Sequence, residues 1–277
     1  MKERILTIAH IFQYERALYA EERASATIEK YMRDARSFSA WLGSRPVTRE
    51  RAAQWKEQLL SQGLSPATVN AKLSAINGLF CLLGWEECRV KFLKVQRRVF
   101  RDSSRELTRE EYHRLVETAM GLGREWLALV METICAAGIR VSEVCFITVE
   151  AAAAGRARVS LKGKIREIIL PGKLCRKLLK YARKQKNTSG AIFCAKGGDK
   201  VSRHQIWREM KSLCQKAGVN TSKVFLHNLR HLFATLFYRA TRDIVRLADV
   251  LGHSSINTTR LYLLTTGAEH TLYYGLG

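Results

Sequence analysis

Apolar residues recur at helical spacing along residues 26–42. Ile28, Tyr31, Ala35, Phe38, Trp41 and Leu42 share one face, and Glu29, Lys30, Arg33 and Arg36 fall mostly on the other. A second helix is predicted over about 48–62, with Thr48 as its N-cap and Glu50 and Arg51 in its first turn. Ser65-Pro66 then reads as a cap followed by proline at the first helical position. The helix it opens runs to about Leu83 and stops at Gly84. With the opening segment, this gives four helices in about 95 residues.

Residues 97–106, RRVFRDSSRE, are charged and lack periodicity, which predicts a linker. Thr108 and Glu111 then form a capping box ahead of a helix containing Tyr112 and Leu115. The chain therefore divides into a helical domain at 1–98, a linker at 99–106 and a second domain at 107–277. In the second domain, Trp126 to Ala137 reads as a buried helix ended by Gly138. Residues 157–172 alternate around the turn Lys162-Gly163-Lys164, predicting a β-hairpin or a three-stranded edge. Ala191 to Cys194 is expected as a short strand, and from Ser202 the pattern is helical, with breaks at Gly218 and Gly252. The fold class is mainly α: a four-helix N-terminal domain plus a mixed α+β domain with a small antiparallel sheet. No internal repeat or low-complexity tract interrupts it.

Charge adds a partner to this picture. The 277 residues carry 47 Lys and Arg against 25 Asp and Glu, a formal net charge of +22. Residues 1–98 hold 17 basic and 10 acidic side chains, and the remainder 30 and 15. Both halves are basic, as expected of a protein that grips nucleic acid from two sides. Seven scattered cysteines, odd in number and without a CxxC, fit reduced thiols in a cytosol. The opening segment is charged within its apolar stretch and does not read as a signal peptide. The longest apolar run, Trp126 to Ile139, is broken by Glu132 and is too short to span a bilayer. A soluble, cytoplasmic protein without membrane contact is expected.

The candidate chemistry is a set of cationic and imidazole side chains that closes on one tyrosine. They are Arg140 in CAAGIRVSEV, Lys162 in SLKGKIR, His227 and Arg230 in FLHNLRHLF, His253 in LGHSS and Tyr262 in NTTRLY. Guanidinium groups stay charged at any working pH and offer parallel donors to two phosphate oxygens. His227 precedes Arg230 by three residues, so both face one side of a helix. A phenol, with an ordinary pKa of about 10, is displaced from phosphorus far more readily than an alcohol. The five aspartates, Asp34, Asp102, Asp199, Asp243 and Asp249, do not cluster with glutamates around the tyrosine, which argues against a two-metal carboxylate site. Gly163-Lys164 lacks the partner glycine and the hydroxyl residue of a nucleotide-binding loop. Neither metal, nucleotide nor other cofactor is implied, and no aromatic stacking platform for single strands is evident.

These strings resemble the tyrosine recombinase (phage integrase) family, and are similar to Xer-type recombinases and small mobile-element integrases. SPATVNAKLSAINGLF with TIEKYMRDARSFSAWL resembles its SAM-like core-binding domain, and LGHSSINTTRLY its nucleophile segment. The resemblance implies a site-specific recombinase that cleaves and rejoins double-stranded DNA through a 3′-phosphotyrosyl link. Tyr262 would be the nucleophile, Arg140 and Arg230 the phosphate clamp, and His227 and His253 phosphate donors, His227 also assisting the tyrosine proton. Lys162 would protonate the leaving oxygen. The turn KGKIRE is shorter than the family's GKG-spacer-KxR, so Lys164 stands as the alternative. Glu143 resembles the acid that orients the first arginine, and His231 a structural neighbour. Thr27, Lys30, Arg33, Thr68 and Lys72 lie on the helices that approach DNA in relatives, and Lys164 is a further candidate for a backbone contact. A two-domain clamp around the duplex and a homotetramer on DNA are implied. Its tail residues Leu272, Tyr273, Tyr274 and Leu276 would pack on a neighbour. Strand relaxation of the type IB topoisomerase kind and a catalytically idle DNA-binding protein are the alternatives.

Overall fold

A computed structural model describes residues 3–95, 103–161, 164–194, 201–253 and 255–263. Two compact units divide the chain, Met1–Arg97 and Arg98–Gly277.

The first unit holds four helices: α1 (Ile8–Ala20), α2 (Ser25–Leu42), α3 (Arg49–Ser61) and α4 (Pro66–Leu82). Along α2, Ile28, Met32, Ala35, Phe38 and Leu42 are buried, the three-and-four spacing that commits one face to a core. The Phe38 ring meets Trp55 of α3 and Phe80 of α4 edge-on, with centroids 5.1 and 5.7 Å apart. Thr48 and Ser65 accept from the backbone N–H groups of Arg51 and Thr68, which fixes where α3 and α4 begin. Asn70 and Asn77 on α4 clamp the following extended segment. Each side-chain amide donates to one backbone carbonyl and accepts from the N–H of the same residue, Leu93 and Val90 respectively.

The second unit contains α5 (Arg109–Gly121), α6 (Glu125–Ala137), a 3₁₀ turn at Val141–Phe146, α7 (Val149–Ala154), β1 (Arg156–Leu161), β2 (Lys164–Ile169) and α8 (Gly172–Lys184). After it come α9 (Arg203–Ala217), α10 (Leu226–Thr241), α11 (Ile244–Leu251), α12 (Ile256–Thr259) and a last 3₁₀ turn at Arg260–Leu263. α6 is apolar on nearly every side, and it packs against α5, α8 and α10 at the centre of this unit. Thr108 and Glu111 complete the capping box of α5. The strands pair antiparallel in the register Arg156↔Ile169 to Leu161↔Lys164, a two-stranded hairpin. Four of the cysteines are buried, at positions 88, 135, 175 and 214.

Two expectations need correction. Ala191–Cys194 is not a strand. Ala191 forms an isolated bridge with Thr148, and Ile192 donates to the Ile147 carbonyl; among the described residues this short contact does not extend into a ladder. The helical stretch after Gly218 also breaks at Arg242, which adopts φ +55° to end α10. No glycine marks that stop, so composition gave no cue.

Within the stretch expected as a linker, Ser103–Arg105 forms a 3₁₀ turn, and the Arg105 carbonyl accepts from the Asn228 side chain at 2.8 Å.

Candidate active site

The site grows from the end of α6. Gly138 closes that helix at φ +62°, and a Cβ there would sit 2.4 Å from the Phe233 ring. Only glycine allows both the turn and the close approach. Two residues later Arg140 opens the 3₁₀ turn with its side chain 44% exposed. Its backbone N–H donates to Glu143 Oε2 at 2.7 Å and its Nη1 donates to Oε1 at 3.0 Å. Glu143 is buried and also pairs with Arg166 of β2. Burial pushes this carboxyl up, but the Arg140 N–H and the Arg166 guanidinium outweigh it and hold the group below its usual range.

α10 supplies His227 and Arg230 one turn apart. Arg230 is 3% exposed and fully engaged: Nη1 donates to the Gly138 carbonyl at 2.6 Å and Nη2 to the Leu251 carbonyl at 2.7 Å. Burial first, then the charge of Arg140, draws the guanidinium down to about 10, so it stays cationic at neutral pH. His227 keeps an exposed edge. Partial desolvation, then Arg230, Arg203 and Arg140, hold its imidazole below the ordinary value. A cleft of about 640 Å³ opens beside it, with Arg203, Trp207 and Phe225 among its walls.

His253 follows Gly252, where α11 ends. Its Nε2 lies 3.0 Å from Arg230 Nη2 and its Nδ1 2.9 Å from Thr259 Oγ1. Burial and the charges of Arg230, Arg140 and Arg166 hold it at about 4, so the ring is neutral at pH 7. The turn after α12 brings in Tyr262, 6% exposed and packed with Ala234, Leu247 and Leu251. Three imidazoles surround the phenol. His253 stacks on it at 6.0 Å, His231 meets it edge-on at 4.8 Å and His227 lies at 6.5 Å between centroids. The Tyr262 phenol also lies near enough to Arg230 to act on its guanidinium, favouring the charged form.

The structure thus brings Arg140, Glu143, His227, Arg230, His253 and Tyr262 to one place. Lys162 lies outside the described residues, as do Leu272, Tyr273, Tyr274 and Leu276. Lys164 is described only as the first backbone position of β2. In the first unit, Thr27, Lys30 and Arg33 sit on α2 and Thr68 and Lys72 on α4. Arg33 is 73% exposed, whereas Lys72 Nζ lies 3.1 Å from the buried Asp34 Oδ1. Thr68 is exposed and shares a hydrogen bond with Ser65. Sequence reasoning missed Arg166 and Thr259. For Arg166 there was a signal: a cation at an inward position of an alternating strand.

Comparison with known proteins gives the family of the chain. Residues 105–268 match the phage integrase family, and residues 11–87 match the phage integrase N-terminal SAM-like domain. The tyrosine recombinase XerA of Thermococcus kodakarensis is 28% identical over 94% of this chain and 92% of its own. The tyrosine recombinase XerD of Caulobacter vibrioides is 28% identical over 91% and 90%. A lambda integrase tetramer bound to a Holliday junction shares the fold, with a TM-score of 0.75 at 18% identity over 94% of this chain and 78% of that one. Fold and relatives together define an enzyme of DNA strand exchange. The chain belongs to the phage integrase family, the tyrosine recombinases, whose function is site-specific recombination through cleavage by a tyrosine. Among the described residues, no helix is long and apolar enough to cross a membrane.

Proposed function

We propose that Tyr262 attacks the scissile phosphodiester of a duplex held by Arg140, Arg230, His227 and His253. The observation that carries this is the placing of the Tyr262 phenol among three imidazoles and against the Arg230 guanidinium. The Tyr262 oxygen bonds to phosphorus as the bond to the 5′ oxygen breaks, leaving a 3′-phosphotyrosyl link. Negative charge gathers on the non-bridging oxygens, where the two guanidiniums stabilise it. His227, held neutral, is able to take the phenolic proton. Lys162, or Lys164, supplies a proton to the departing 5′ oxygen. One phosphate ester replaces another, so the 5′ hydroxyl of a partner strand reverses the chemistry without an external energy source.

Residues 1–98 and 107–277 both contribute to duplex binding, with Thr27, Lys30, Arg33, Thr68 and Lys72 facing DNA from the first. Four protomers act together on two DNA segments, the tail after Tyr262 joining neighbours. The lambda integrase tetramer on a Holliday junction supports this assembly. A cytoplasmic location follows from the substrate.

The test uses a library of nicked duplexes of random sequence, from which wild-type protein is expected to trap a denaturant-resistant adduct. Tyr262→Phe should bind the selected duplex with similar affinity and form no adduct. Normal adduct levels from Tyr262→Phe would overturn the assignment.

A further inference from the structure

β2 carries a cation where its pattern calls for an apolar residue. The register sets Arg166 opposite Val159 and on the same face as Ile168, both buried. A charge at such a position is costly unless its hydrogens are met. Arg166 meets them with groups of the phosphate site. Its Nη2 pairs with Glu143 Oε2, and its Nη1 donates to the Val250 carbonyl at 2.8 Å. Its buried Nε has no partner among the described residues. The side chain also threads past Gly252, where a Cβ would lie 2.7 Å from Arg166 Cδ and 3.0 Å from Nη1. Gly252 adjoins His253, and Glu143 holds Arg140.

We propose that Arg166 is a positioning residue of the phosphate site: its guanidinium ties Glu143, and through it Arg140, to the Val250 backbone three residues before His253. The inference rests on the function proposed above. A guanidinium forks to reach a carboxylate and a carbonyl at once, which an ammonium does with poorer geometry. Without Arg166, Glu143 keeps its two bonds to Arg140 but loses the tie to the Val250 backbone, so the Arg140–Glu143 pair is free to shift as a unit. Arg140, half exposed, then loses the direction in which it aims its donors. The loss falls on the step in which charge builds on the non-bridging oxygens.

The test follows from that. A methylphosphonate linkage replaces one non-bridging oxygen by a methyl group, so less negative charge develops and less depends on Arg140. Single-turnover cleavage is measured on the duplex selected by the wild-type protein, with phosphodiester or methylphosphonate at the scissile position. Arg166→Gln should slow phosphodiester cleavage by on the order of 30-fold, and methylphosphonate cleavage by less than about threefold, with DNA affinity nearly unchanged. Arg140→Ala should show the same selectivity. Equal loss on both linkages, or no loss on either, overturns the proposal. If Arg166→Gln fails to fold, Arg166→Lys keeps the charge and serves in the same comparison. Absence of any adduct from the wild type would instead remove the function on which the proposal rests.

Discussion

Arg230 Nη2 lies 3.0 Å from His253 Nε2. A guanidinium only donates, so Nε2 must accept, and the imidazole proton sits on Nδ1. That nitrogen faces Thr259 Oγ1 at 2.9 Å, and Thr259 has no accessible surface. Arg230 therefore selects the tautomer of His253 in the free protein, and Thr259 Oγ1 accepts the Nδ1 proton. For His253 to donate to a phosphate through Nε2, the ring must gain a proton there as Arg230 turns to the substrate.

Thr259→Val removes the acceptor and leaves a half-buried N–H without a partner. The expected cost is about 1–2 kcal/mol in urea unfolding, with cleavage slowed by about tenfold. An unchanged unfolding midpoint would show that Thr259 does not hold the ring.

Stability should fall on acidification. His253 is held at about 4 in the folded protein, below the ordinary value of an unfolded imidazole. Between those two values the unfolded chain binds more protons, so folding weakens as pH falls from about 6.5 towards 4 and is restored above that window. His227, also lowered, acts in the same direction. The urea midpoint should be lower at about pH 5 than at pH 7, by a margin that shrinks in His253→Gln. A margin untouched by that substitution would place the titration elsewhere.

Gly138→Ala forces a side chain into the left-handed region and towards the Phe233 ring. The expected loss is about 1–3 kcal/mol, more if Phe233 cannot move. The Gly138 carbonyl is an acceptor for Arg230, so cleavage should fall as well. Calorimetric melting and single-turnover kinetics together check both effects.

Lys72 is engaged within the first unit. Its side chain is 20% exposed and Asp34 only 2%; the Lys72 Nζ meets Asp34 Oδ1, and Asp34 Oδ2 has no hydrogen-bond partner among the described residues. Lys72→Ala leaves the buried carboxylate with only the longer, exposed contact to Arg33 Nε at 3.8 Å and should cost about 3 kcal/mol, much of it regained in the double variant with Asp34→Ala. Arg33→Ala, which removes an exposed side chain with only a 3.8 Å contact to Asp34, should instead cost less than about 1 kcal/mol and reduce the salt slope of DNA binding by about one. Equal salt slopes for wild type and Arg33→Ala would remove Arg33 from the DNA face.

What could be read in advance was local. Thr48, Ser65 and the Thr108–Glu111 pair announce helix starts because capping depends on residues three apart. Arg140, His227, Arg230, His253 and Tyr262 each sit in a short string of their own, and the fold gathers them. The rest depends on contacts far apart in the chain. Arg166 reaches Glu143 across 23 positions and Val250 across 84, and Lys72 meets Asp34 across 38. Nothing in the residue type of Arg242 marks its αL conformation, and Ala191–Cys194 has strand-forming residues but, among the described residues, only an isolated bridge.

The Gly138 carbonyl, gripped by Arg230, stands two residues before Arg140. Two like charges are thereby mounted on one short bracket of backbone. The electrostatic work of assembling them is done during folding. An arriving polyanion meets a ready-made socket and relieves a repulsion that the empty protein already carries.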